Sequence, residues 1–258
     1  MNADLQELLV IIDDAFRTMS VPQSVVAPKI AWRDGVDLHL KVYAYASIHY
    51  LRGILKALRR EAEDGNDPAT WLLARSVCEW AAALTYVSEN VQTAIKANDW
   101  PAAFDVLFVF LQGNRWLKKY GMQHGGDQDL VDYVPTTTFV HKLIETYHDA
   151  IRKDMGLTDT REGYSRLSEH CHPSSTCLMP YIVWPPMVEG EPDLNAPIIF
   201  SETPKAARME GSFELGRSLL ALPRLLHDLL GLAGEQVVRD QVRELKEKIG
   251  GIQKRVRQ

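Results

Sequence analysis

The sequence predicts an all-α fold: a bundle of about five helices over residues 38–177, a proline-rich extended arm or short β-hairpin over 178–204, and two C-terminal helices over 205–258. Three observations predict it. Apolar residues recur at steps of three and four along most of the chain, the pattern of helices with one buried face. Asp or Asn shortly before a proline, and isolated glycines, punctuate these stretches where helices start and stop. β-branched and aromatic runs broken by prolines are confined to one segment, where six prolines fall between Leu178 and Pro204.

The elements follow in order. Residues 4–19 read as a short amphipathic helix, and two prolines and a glycine break the pattern before residue 38, so 1–37 form an N-terminal helix and linker. From residue 38, Leu40, Ala44, Ser47, Leu51, Ile54, Leu55 and Leu58 form one core face, with Lys41, Arg52, Lys56 and Arg59 turned away. Asp67-Pro68 begins the next helix. That helix is apolar or small on nearly every side from Trp71 to Ser88, where Arg75 and Glu79 are its only charges, which places it centrally. Asn98 or Asp99 with Pro101 starts another helix ending near Gly121, and Phe139, Leu143, Tyr147 and Ile151 stripe a further one. Residues 163–172 supply the fifth. In the arm, YIVW and APIIF either pair or lie extended. Beyond it, FELGRSLLALPRLLHDLLGL resumes helix, and Val238, Val242, Leu245 and Ile249 line the last one, which suits docking on the same or another subunit. Gly250-Gly251 reads as a helix break.

Composition bounds the function. With 258 residues and 46% hydrophobic content the chain buries a substantial core without staples. A net charge of −5 argues against a surface built wholly for nucleic acid and leaves room for a local basic patch. The last 16 residues carry six basic and two acidic side chains, a solvated or docking surface more readily than a nucleic-acid arm. Cys78, Cys171 and Cys177 look like reduced thiols, so a cytoplasmic location is expected. The N-terminus lacks the plan of a signal peptide, and no stretch approaches the ~20 apolar residues of a membrane span.

The stretch GYSRLSEHCHPSS, residues 163–175, brings Tyr164, Ser168 and His172 to one border of its helix at four-residue steps. Pro173 disfavours helical geometry at His172, so the imidazole sits where the helix ends. Arg75 and Glu79, one turn apart, share a second face of the central helix with Ala82 and Tyr86. A buried ion pair needs further polar partners. Tyr164, Ser168 and His172 are expected to supply them. Tyr45 and His49 can face the same place, with Gly53 permitting close approach. Set against this, the same residues serve as a packing device that fixes helix register.

The motifs Arg75-Ser76-x-x-Glu79 and Tyr164-x-x-Leu167-Ser168-x-x-x-His172-Pro173-Ser174 resemble those of an uncharacterised all-α bacterial family over roughly residues 40–175. That family is similar to the HEPN superfamily of helical nucleotide-binding and ribonuclease proteins, common in toxin–antitoxin and phage-defence systems. Its signature is Arg-x4–6-His near a helix end, and Arg166 and His172 have that spacing. The resemblance implies metal-independent RNA cleavage, with His172 as general acid or base and Arg166 or Arg75 stabilising the charged phosphate. It also implies RNA as substrate and an antitoxin or other protein as partner. A homodimer is expected as well, because the last helix suits docking on another subunit, and Arg166 and His172 meet only if their helix breaks or a second subunit contributes. Two features depart from the pattern: Leu167 follows the arginine, and Arg166 lies about 120° from His172 on a continuous helix.

No cofactor is expected, because dinucleotide, P-loop and nucleophile-elbow motifs are missing. No metal is expected either. Glu145-x-x-His148 points away from its core stripe beside His141 and Arg152, which leaves Glu169-x-x-His172 with too few inward ligands. His170, Cys171, His172 and Cys177 lack paired ligand spacing. A non-enzymatic binding or assembly module is the alternative to the nuclease.

Overall fold

Leu5, Leu8, Leu9, Ile12 and Phe16 lie along one side of α1 (Ala3–Thr18), and all are buried. They meet α2 (Trp32–Glu63), whose Leu40, Ala44, Ser47, Leu51, Leu55 and Leu58 have no exposed surface. The computed structural model describes residues 3–25, 32–112 and 210–256, with four short pieces at 182–183, 187–188, 191–192 and 199–200. The fold is all-α: among the described residues, six helices carry the structure. The remaining four are α3 (Asp67–Lys96), α4 (Trp100–Gln112), α5 (Glu210–Leu232) and α6 (Val237–Val256). Helix α2 begins at Trp32, ahead of the expected residue 38, so the linker after α1 is shorter than the sequence suggests.

Helix α3 occupies the centre, packed on α2, α4 and α5. Ala74, Ala81 and Ala82 are fully buried, and side chains this small let neighbouring helices approach on more than one face. Its start differs in detail from expectation: Asn66 is the N-cap, Asp67 and Pro68 fill the first turn, and the Asn66 amide donates to Glu61 Oε2 at 2.5 Å. Helix α4 starts as expected, with Asp99 Oδ1 accepting the Ala102 N–H at 3.1 Å.

Three corners share one device. After α2, α3 and α5 the chain turns through a left-handed residue, Gly65, Asn98 and Gly234 respectively. The next N–H reaches back to a carbonyl five residues earlier: Asn66 to Glu61, Asp99 to Ala94, Glu235 to Leu230, each at 2.9 Å. Glycine adopts this conformation without a Cβ penalty, and asparagine tolerates it.

Helices α5 and α6 are part of the same apolar core as α1–α4. Leu215, Leu219, Leu222, Leu226, Leu229 and Leu230 of α5 are buried, and α5 lies most extensively against α3. Pro223 sits inside α5. A mid-helix proline costs about 3 kcal/mol, an amount offset here by burial of the adjacent leucines at about 1.5–3 kcal/mol each. Helix α6 docks on α1 and α5 through Val238, Val242, Leu245 and Ile249.

The expected break at Gly250-Gly251 does not occur: α6 runs through both glycines to Val256. Ile249 and Ile252, each 4% exposed, anchor the helix on either side of the pair. Their burial outweighs the roughly 1 kcal/mol per glycine that helix formation costs.

In the proline-rich segment, Ile182–Val183 pairs antiparallel with Ile199–Phe200, and Met187–Val188 with Glu191–Pro192. The expected helices around Phe139–Ile151 and 163–172 lie outside the described residues.

Candidate functional site

The face of α3 formed by Leu72, Arg75, Glu79, Ala83 and Tyr86 follows the three-four spacing of one helical side. Arg75 Nε donates to Glu79 Oε1 at 2.8 Å. The two side chains retain 26% and 32% of their surface, so the pair is half-buried and reachable by solvent. This corrects the expectation of a charge pair sealed in the bundle. Leu72, 54% exposed, opens one end of the face, and Tyr86 is half-buried two turns beyond Glu79. An ion pair in this setting contributes at most about 1 kcal/mol, and its order, cation N-terminal to anion, is the weaker one against the helix dipole. Burial therefore does not compel a further partner.

Tyr45 and His49 do not join that pair. Tyr45 is 5% exposed, and its hydroxyl meets Glu235 in the α5–α6 connection. Burial first, then the hydrogen bond and charge of Glu235, push the phenol upward, so it stays protonated as a donor. His49 is exposed, with Nε2 3.5 Å from the Pro22 carbonyl oxygen after α1. Gly53 does not serve close approach, since a Cβ there would meet nothing within 4 Å. The remaining residues of the predicted cluster, Tyr164, Arg166, Ser168 and His172, lie outside the described residues.

Among the described residues, a polar group that sequence reasoning missed joins α1 to α2. Asp13 is 1% exposed and lies 3.2 Å from both Arg17 and Arg59. Arg59 also binds Asp14 and Glu63, each at 2.9 Å, and Arg17 contacts Asp14. Glu63 first, with Asp13 and Asp14, holds the Arg59 guanidinium further above its ordinary range, against some desolvation. Arg52 Nε donates to the Phe16 carbonyl at 2.6 Å and its Nη2 to that of Met19, satisfying acceptors where α1 ends. A signal for Asp13 was present, because Leu9, Asp13 and Phe16 share the apolar side of α1. These groups fasten helices together.

His39 is also engaged, with Nδ1 2.6 Å from the Gly35 carbonyl oxygen and its ring edge-on to Phe104 at 4.7 Å. Among the described residues no three His, Cys, Asp or Glu side chains converge as a metal site, and no helix is long and apolar enough to cross a membrane. Comparison of the chain with protein-family models, curated proteins and solved structures gives no match.

Proposed function

We propose that this chain is a HEPN-like helical protein of bacterial stress or phage-defence type, a metal-independent endoribonuclease acting in the cytoplasm as a homodimer. Its substrate in this reading is RNA, and its protein partner is of antitoxin type. His172 takes the proton of a ribose 2′-hydroxyl or gives one to the leaving oxygen, and Arg166 or Arg75 stabilises the charge that builds on the phosphate. Metal independence rests on the motif resemblance. The observation that supports the reading is the part-exposed Arg75–Glu79 pair on the central helix, where the arginine side chain retains 26% of its surface. Glu79 keeps the arginine oriented until a stronger anion competes for it.

The test is RNA cleavage by purified protein in chelator, comparing wild type with His172→Ala, Arg166→Ala and Arg75→Ala. Loss of cleavage in His172→Ala and in at least one arginine variant is expected. Equal activity in all four proteins, or none in any, removes the assignment.

A second reading, the non-enzymatic binding or assembly module, draws support from the polar groups that fasten α1 to α2 through Asp13, Arg52 and Arg59. It expects His172→Ala to lower thermal stability, with no ligand protecting the protein.

A further inference from the structure

Helix α2 carries an uneven charge pattern. Between Asp37 and Glu61 it has five Lys or Arg residues and no Asp or Glu, in a chain whose net charge is −5. Two of the five are committed, Arg52 to the end of α1 and Arg59 to Asp13, Asp14 and Glu63. Lys41 is half-buried. Lys56 and Arg60 are exposed, and with His49 and Gly53 they fall at steps of four, three and four, which places all four on one solvent-facing line. The Arg60 side chain is 81% exposed, and its ion pair with Asp64, at 3.8 Å between two exposed groups, is too weak to hold it.

Beside this line stands an aromatic group. Tyr50 is 45% exposed, with its ring 4.6 Å from that of Trp80 on α3 at a tilt of 34°. Trp80 is itself partly buried against the core. At Gly53, between His49 and Lys56, a Cβ would touch nothing within 4 Å, so the line has a notch where a ligand can lie against the backbone.

We infer that this face of α2 binds single-stranded RNA, with Lys56 and Arg60 on successive phosphates and a base stacked on Tyr50. The choice of RNA rests on the nuclease reading above, and the surface itself rests on charge and geometry. Cationic side chains that track a backbone next to an exposed ring are the parts of a sequence-tolerant single-strand site. An acidic partner helix fits less well, because the exposed apolar side chains of this face, Val42, Ala46 and Tyr50, lie toward its N-terminal half, and the stretch carrying Lys56 and Arg60 offers no continuous apolar seam. A membrane surface fits less well too, since the apolar side of α2 is already used in the core.

The experiment uses the full-length His172→Ala protein, so that binding is read without cleavage, and a fluorescent single-stranded RNA 20-mer followed by anisotropy across a salt series. Lys56→Gln/Arg60→Gln is expected to weaken binding and to reduce the magnitude of the log–log salt slope by about 1.4, or ~0.7 for each phosphate of a single strand that is no longer neutralised. Tyr50→Leu is expected to weaken binding about tenfold, the lower part of the stacking range. Arg243→Gln/Lys248→Gln on α6 removes the same charge elsewhere and is expected to leave the slope unchanged. The inference is overturned by absence of RNA binding, or by equal losses in the α2 and α6 double variants. Preferential binding of phosphatidylserine vesicles or poly-glutamate through Lys56 and Arg60 overturns it as well. Cleavage by wild type with no role for Lys56 and Arg60 sinks this surface and spares the nuclease. Binding through α2 with no cleavage by wild type does the reverse.

Discussion

Replacing Gly250 and Gly251 together by alanine is expected to stabilise the protein. Both lie inside α6, neither has a left-handed backbone, and a Cβ built at either meets nothing within 4 Å. Alanine therefore enters without strain, and the gain comes from helix propensity and a less free unfolded chain. Each site contributes about 0.4–1 kcal/mol, so the double variant gains roughly 1–2 kcal/mol. In a domain of this size that is a rise in Tm of about 2–8 °C. Urea unfolding followed by far-UV circular dichroism reads it as a higher midpoint at unchanged m-value. Gly234→Ala supplies the opposite sign, because its φ of 66° is left-handed and alanine there costs about 1–2 kcal/mol. A midpoint for Gly250→Ala/Gly251→Ala that stays put or falls would refute the continuous helix and restore the break that the paired glycines suggest.

Two further outcomes follow from burial and charge. Glu79→Ala is expected to shift unfolding free energy by less than about 1 kcal/mol, since the pair it breaks is part exposed, whereas a sealed pair would cost about 3–5 kcal/mol; chemical denaturation separates the two. Tyr43, at 3% exposure, has its phenol pushed up by burial, so the unfolded chain ionises first as pH rises. Its contribution is complete below the ordinary phenol range near 10 and is lost as pH climbs toward the raised folded value. Tyr43→Phe is accordingly expected to flatten the alkaline fall in stability, and an unchanged pH profile would contradict the burial.

Much of the frame was legible because periodicity reports which face of a helix is buried. Leu40 to Leu58 on α2 and Val238 to Ile249 on α6 were readable in this way, as was the start of α4 from Asp99 and Pro101. Periodicity does not report what covers a second face. Arg75 and Glu79 were correctly placed together on the central helix, yet their exposure depends on neighbours that the local pattern never names. Tyr45 shows the same limit: its partner Glu235 lies far along the chain, in a connection whose position is set by the docking of α5 and α6. Gly250-Gly251 misled for another reason. Local propensity argued for a stop, and tertiary burial of Ile252 overrode it.

The pairing of α3 with α5 has a consequence for how the chain is made. Helices α2, α3 and α4 follow one another through tight corners and can associate as soon as they leave the ribosome. The covering surface on α5 comes much later in the chain, starting at Glu210 where α3 ends at Lys96. At about 5–20 residues per second, several seconds or longer separate the synthesis of α3 from that of the helix that packs on it. Nascent chains of this protein thus hold the α5-facing side of α3 without its final partner on a timescale at which chaperones act.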